Sequence, residues 1–330
     1  MKNVWWIILL IVIAGVFIGI AVMRKGGASG ERHIGVIPKE TASLFWAAVR
    51  QGALKAGSEE NVKVLWNGPE IETDRERQIQ IVEDLVAQRV AGIVLAPNDK
   101  KALVPAVEKI FDKKIPCVII DSDVDVAPEK YLSFMATDNY KGGVIAAKRM
   151  GQILEGKGKV IVVEWTPNSA STDARAAGFR ETLANEYPDI QIVDSKYPNP
   201  PTTGKAREVT EDMLTRNTEV HGIFACNATT AGGALQALRS PGQAERKIKM
   251  IGFDAWDMLV DGLRKGELDS LVVQNPFKMG YEGVKAVLRH LDGQDIPKRV
   301  DTGVELVTKD RLADPKIKQL LSSQCETITE

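Results

Sequence analysis

From residue 33 onward the chain alternates short apolar runs, rich in β-branched residues, with longer segments of helical spacing. The runs are "HIGVIP" (33–38), "VKVLW" (62–66), "AGIVLAP" (91–97), "PCVIID" (116–121) and "YLSFMATD" (131–138). They resume with "KVIVVEW" (159–165), "IQIVDSKYP" (190–198), "GIFACN" (222–227), "KMIGFD" (249–254) and "SLVVQNP" (270–276). The intervening segments are amphipathic, as with Ile79, Val82, Leu85 and Val86 after "TDRER". Continuous apolar strands between helices predict parallel sheets covered on both faces. The rhythm also repeats at larger scale, with four strand–helix units from 33 to 121 and four more from 159 to 254. The expected fold class is therefore α/β, with two similar doubly wound parallel-sheet lobes. Each series stops on an aspartate, Asp121 in one and Asp254 in the other. Ligands of open α/β sheets bind at the carboxyl ends of strands, which is where both aspartates fall.

A chain of 330 residues with 44% hydrophobic content can bury two cores of ordinary size. Once Lys2, Arg24 and Lys25 are set aside, residues 31–330 hold 40 basic against 44 acidic residues, with no basic block. That balance argues against nucleic acid as a partner. Cys117, Cys226 and Cys325 are odd in number and far apart, so they read as small core residues with no disulfide framework. At the N-terminus, Trp5 to Met23 is an uncharged run of 19 residues. It is long enough for a membrane-spanning helix and longer than the ~7–15 residues of a signal-peptide apolar region. "ASG" at 28–30 keeps a cleaved signal open, and residues 1–30 are read as anchor or signal segment. Arg24 and Lys25 after the run lean towards a cytoplasmic body by the positive-inside rule. The nature of the body argues for export.

Catalysis finds little support. The turn after the first strand is "PKETAS", without glycine, and "GKGK" at 156–159 precedes its strand, so no dinucleotide or phosphate loop is present. His33, His221 and His290 stand at strand starts or a helix end. No cluster has metal-ligand spacing and no nucleophile–base pair suggests itself, so no cofactor is expected. The strand ends carry instead planar polar groups: Asp121, Asn227, Asp254 and Gln274, with Arg175 just inside the helix after "VEWTPN". Such groups present fixed forks of donors and acceptors suited to neighbouring hydroxyls of a polyol. Phe45–Trp46, opening the first helix, suit an apolar sugar face. Plainer readings stand beside these. Asn227, Asp121, Asp254 and Asp138 suit helix caps or turns, Arg175 a solvated helix face, Lys39 the surface, and one of Phe45 and Trp46 the core.

Taken together, "IGVIP…FW…G", "IPCVIID", "TDNYKGG", "SASTDARAAGF", "IFACN", "MIGFDAW" and "LVVQNPF" follow in the order and spacing of a known family. Residues 33–310 resemble type I periplasmic solute-binding proteins of sugar ABC transporters, the ribose-binding group. The resemblance implies a monomer that binds a small sugar between two lobes and serves a membrane permease. It implies ligand contacts at Phe45, Trp46, Asp121, Arg175, Asn227, Asp254 and Gln274, with Lys39 at the place of a first-strand serine. Three crossings form the hinge, near Thr137–Asp138, Gln274–Asn275 and Gly303–Val304. The lobes would then be 31–137 plus 275–303 and 138–274 plus 304–330. Ribose binders place an arginine directly after the first aspartate, where this chain has Ser122. "IPK", "WNGP" and "DSDV" resemble autoinducer-2-binding and rhamnose-type relatives, which leaves the choice of sugar open. Other classes share the body: a receptor presenting a signalling sugar to a membrane kinase, and a lac-repressor-type regulator, which needs a DNA-reading segment where this chain has its apolar run.

Overall fold

The computed structural model describes residues 32–322 and residue 324. The apolar run at 5–23 and Cys325 lie outside the described residues. Among the described residues, no helix is long and apolar enough to cross a membrane.

Two six-stranded sheets carry the fold. The first contains β1 (His33–Ile37), β2 (Lys63–Trp66), β3 (Gly92–Leu95), β4 (Cys117–Ile120) and β5 (Ser133–Ala136). The second contains β6 (Gly158–Val163), β7 (Ile190–Lys196), β8 (Gly222–Ala225), β9 (Lys249–Phe253) and β10 (Ser270–Gln274). Each of these strands falls on one of the apolar runs, β6 beginning one residue ahead of its run. Two further strands, β11 (Arg299–Asp301) and β12 (Val304–Thr308), close the sheets in the orders β11-β5-β4-β3-β1-β2 and β12-β10-β9-β8-β6-β7. The orders are equivalent, which is the repeat seen in sequence. The sheet cores are parallel as expected, and β12 adds to the second sheet an edge strand antiparallel to β10. The run-based reading misses β11 and β12, because these edge strands are mostly half-buried and carry no continuous apolar stretch.

Helices α1 (Leu44–Glu59), α2 (Arg75–Ala87), α3 (Val104–Asp112), α4 (Asn139–Ile153) and α5 (Ala170–Glu186) are followed by α6 (Thr203–Arg216), α7 (Ala228–Leu238), α8 (Asp257–Lys265), α9 (Pro276–Leu291) and α10 (Pro315–Ser322). Side chains alternate across a strand, and both alternating sets are buried. Ile34, Val36, Val118 and Ile120 pack with Ala53 of α1 and Val284 of α9. Ile37, Ile93, Cys117 and Ile119 pack with Ile81 of α2 and Val107 of α3. The second sheet repeats this, with Val160, Phe224 and Phe253 against α4 and α5, and Ile161, Ile223 and Met250 against α6 to α8. Cys117 and Cys226 are buried free thiols, as small core residues would be. On α2 the buried face is Gln78, Ile81, Val82, Leu85 and Val86; Ile79 is only half-buried at its edge.

Three segments pass between the sheets. β5 of the first leads into α4, which packs on the second; β10 of the second leads into α9, which packs on the first; β11 leads into β12. Each incoming helix crosses its partner through glycines that leave no room for a side chain. A Cβ on Gly52 or Gly280 would lie 2.0 Å from a carbonyl oxygen across the α1–α9 crossing, and one on Gly143 or Gly178 2.1 Å across the α4–α5 crossing. Asp121 and Asp254, just past the ends of β4 and β9, line one cavity, so the carboxyl ends of the two sheets face each other.

Candidate functional site

Between those strand ends lies a cavity of about 340 Å³. All eight residues expected at a ligand site line it: Lys39, Phe45, Trp46, Asp121, Arg175, Asn227, Asp254 and Gln274. Gln78 braces the first-lobe wall. Its amide donates to the carbonyls of Pro38 and Ala96, both at 2.8 Å, and accepts from the N–H of Asn98 at 2.9 Å. A buried glutamine so fully bonded fixes the ends of β1 and β3, and Lys39 leaves from there.

The two aspartates use one backbone device. Each is the first residue after its sheet's fourth strand, with φ of 62° at Asp121 and 67° at Asp254. That left-handed conformation is uncommon outside glycine, and aspartate is among the few residues that tolerate it. Their surroundings differ. Asp121 Oδ2 lies 3.0 Å from the Lys39 ammonium and accepts from the Ser122 hydroxyl at 3.1 Å. Asp254 accepts from Gln274 Nε2 at 2.6 Å and from the N–H of Ala228 at 3.2 Å, with Arg175 Nη1 at 3.8 Å. Burial pushes the Asp254 carboxyl up, against Arg175, Gln274 and Ala228, and leaves it above the usual carboxylate range. Burial pulls the Lys39 ammonium down, but Asp121 and Glu72 outweigh it and leave its pKa raised.

Several plainer readings are corrected here. Lys39 is buried, at 3% exposure, because three elements donate partners to it; it is no surface lysine. Arg175 is likewise buried: Nε donates to Asn139 Oδ1 and Nη1 to the Cys226 carbonyl, each at 2.9 Å, and the guanidinium lies 3.8 Å from the centre of the Phe253 ring. Asn227 does two things at once. It caps α7, accepting from the N–H of Thr230 at 2.9 Å, and lines the cavity. Trp46 packs into the first core while Phe45 is half-buried, and their rings meet edge-to-face with centroids 5.0 Å apart. Asp138 and Asn275 are the N-caps of α4 and α9, accepting from Lys141 and Lys278, both at 3.0 Å. The third crossing joins them: Thr137 Oγ1 donates to the Gly303 carbonyl at 3.2 Å, and Gly303 has φ of 93°.

The wall also contains residues the sequence reading passes over: Glu72, Trp165, Ser171 and Trp256. Trp165 and Trp256 each stand just past a strand end, within the phrases "VEWTPN" and "MIGFDAW", so position alone was a usable signal. Glu72 sits in the loop "GPEIETD", where neither periodicity nor motif marks it.

Residues 34–295 match the model of the periplasmic binding protein domain family. A D-ribose/D-allose-binding protein of Pseudomonas aeruginosa is 30% identical over 84% of this chain and 88% of its own length. Among solved structures, a carbohydrate transporter solute-binding protein from Agrobacterium radiobacter, in complex with D-arabinose, superposes with a TM-score of 0.85 at 36% identity, covering 89% of this chain and 99% of the other. An ABC transporter solute-binding protein from Agrobacterium vitis with bound D-fucose gives 0.84 at 36% identity, covering 87% and 99%. The equivalent strand orders of the two sheets, the aspartate after each fourth strand and these matches agree: the chain belongs to the periplasmic binding protein family, with the type I architecture.

Proposed function

We propose that this chain is a receptor that captures a small sugar between two lobes and delivers it to the permease of an ABC import system. The observation that carries the reading is the convergence of eight polar and aromatic groups, from both sheets, on one cavity. Its size suits a small ligand, and its walls combine aromatic faces with a few aimed polar groups. Two of those polar atoms await a partner. Among the described residues, Gln274 Oε1 and Trp256 Nε1 are buried without a hydrogen-bond partner, an acceptor and a donor on the cavity's wall. Lys39 supplies beside Asp121 the cation that ribose binders carry at the position of Ser122, which supports a sugar other than ribose.

In this reading the lobes are 31–137 plus 275–303 and 138–274 plus 304–330. The hinge lies at Thr137–Asp138, Gln274–Asn275 and Gly303–Val304, and the protein works as a monomer without cofactor, turnover or nucleic acid. The names of the relatives, which speak of import and transport, favour a permease over a sensor kinase as partner. Family membership supports a periplasmic body, and the apolar run at 5–23 supports a tether to the cytoplasmic membrane or a cleaved signal. A thermal-shift screen against D-arabinose, D-fucose, D-ribose, D-allose and sugar acids tests the binding. A shift with one or more neutral sugars is expected, and none with any would sink the reading. Protease added to spheroplasts should digest the body; resistance until lysis would place it inside.

A further inference from the structure

Glu72 and Lys39 lie beside one another on the first lobe, and apart from the Lys39–Asp121 pair their remaining partners lie on the opposite lobe. Glu72 belongs to the loop between β2 and α2, on the first lobe. Its Oε2 accepts from the indole N–H of Trp165 at 2.9 Å, and its Oε1 accepts from the Ser169 hydroxyl at 3.0 Å. Trp165 and Ser169 lie between β6 and α5, on the second lobe. Lys39 Nζ sits 3.4 Å from Glu72 Oε1, and it donates to Ser169 Oγ at 3.1 Å and Ser171 Oγ at 3.0 Å while paired with Asp121 at 3.0 Å. An ammonium has three donors and no acceptor. Asp121, Ser169 and Ser171 therefore occupy it, and no N–H of Lys39 is left for a sugar.

We infer that Lys39 and Glu72 are positioning residues that bolt the lobes shut over the sugar through the protein's own groups, so that Glu72 governs how long a bound sugar stays. This rests on the sugar-receptor reading and assigns Lys39 a different part in it from ligand contact. Opening the cleft separates Glu72 from Trp165 and Ser169, and Lys39 from both serines, while the Lys39–Asp121 pair stays whole within the first lobe. These bonds to charged groups thus exist only in the closed form. They shift the equilibrium by their difference between the two states, whatever the sugar. Closed-state contacts slow departure more than they speed arrival, because arrival occurs on the open form.

The test is stopped-flow tryptophan fluorescence with whichever of D-arabinose, D-fucose, D-ribose and D-allose binds the full chain, for wild type, Glu72→Ala, Trp165→Phe and the double variant. Glu72→Ala should raise the dissociation rate by about tenfold and change the association rate by less than about threefold. Trp165→Phe keeps an aromatic ring and removes the indole N–H, and should raise dissociation by roughly threefold. The double variant should exceed Glu72→Ala by little, since the two share one bond. A dissociation rate for Glu72→Ala within about twofold of wild type overturns the bolt, as does additive behaviour of the pair. If none of the four sugars binds wild type, the receptor reading fails on its own account. Small-angle scattering of the free proteins then decides the bolt: a larger radius of gyration for Glu72→Ala supports it, and equal radii overturn it.

Discussion

Asp121 and Asp254 are the same residue in the same backbone state, and the two lobes hold them in different ways. Each follows a fourth strand at positive φ, and each donates its N–H to the next strand, Asp121 to the Met135 carbonyl and Asp254 to that of Val272. At Asp121 the carboxylate charge is met by a full counter-ion, Lys39. At Asp254 it is met first by neutral dipoles, the Gln274 amide and the Ala228 N–H, with the Arg175 cation farther off at 3.8 Å. A duplicated fold thus conserves the geometry that aims a carboxylate and leaves free the means of stabilising it. The lobe that uses a counter-ion also gains a group that reaches across the cleft.

The contrast is sharpest on removal of the stabilising partner. Lys39→Met leaves Asp121 and Glu72 in a buried site without their cation, and should destabilise the free protein by about 3–5 kcal/mol. Gln274→Met removes one neutral donor and should cost about 1–3 kcal/mol. Urea unfolding of both variants checks this, and equal losses would erase the distinction. The effect of pH has the same sign at the two sites and falls in different windows. The raised pKa of Lys39 contributes stability that is fully present below about 10.5, the ordinary lysine value, and lost as pH climbs through the folded one. The raised pKa of Asp254 contributes stability present below about 3.9, the ordinary aspartate value, and lost as pH rises through the folded one. The gap between wild type and Lys39→Met should therefore narrow in alkali.

Binding should be hit from both sides by similar amounts. In the proposed reading Asp121→Ala or Asp254→Ala removes an acceptor for ligand hydroxyls, and each should lose roughly 1.5–3 kcal/mol of sugar affinity. That is about ten- to a few hundredfold by titration calorimetry. Unchanged affinity in both variants would make the aspartates structural, and a loss confined to one would show that only that lobe reads the sugar.

The helix crossings offer a finer contrast. Gly52→Ala drives a methyl against the Phe277 carbonyl, and Gly143→Ala drives one against the carbonyl of Arg175. Each should destabilise by about 1–3 kcal/mol through overpacking. Only the second displaces a residue of the cavity wall, so only Gly143→Ala should also weaken sugar binding. Comparable affinity losses from the two variants would mean that the crossings act on the site through the hinge rather than through Arg175.

The sequence was most legible where physics repeats itself. Ten apolar runs correspond to ten strands: the eight inner ones are buried on both faces and have few polar positions to blur them, and the edge strands β2 and β7 keep enough apolar residues to show. The eight residues expected at a ligand site meet on one cavity because strand ends of an α/β sheet converge, whatever the loops do. β11 and β12 were not legible, since short strands interrupted by Arg299, Asp301 and Glu305 carry no continuous apolar run. Nor were the states of Lys39 and Arg175: a charged side chain has a surface reading until its partners are known, and those partners, Ser169, Ser171, Asn139 and the Cys226 carbonyl, lie far away in sequence. Glu72 was invisible for the same reason.

The smallest effect is expected at the crossings themselves, where two of the three resemble each other and the third does not. The first and second each end in a polar N-cap, Asp138 and Asn275, that starts a helix on the opposite lobe. The third has no helix to start; it turns through Gly303 at φ of 93°, where an added Cβ would meet nothing within 4 Å. Gly303→Ala is thus a test of backbone strain alone, and should destabilise by about 1–2 kcal/mol. The Gly303 N–H donates to Asp301 Oδ1 at 2.8 Å, and the same oxygen lies 3.4 Å from the N–H of Asp138. Strain at the third crossing is therefore felt at the first, and sugar affinity should move by less than stability does. Chemical denaturation and calorimetry on the one variant compare the two. An affinity loss larger than the stability loss would mean that Gly303 bends during closure, and that the third crossing, the one without a cap, carries the motion.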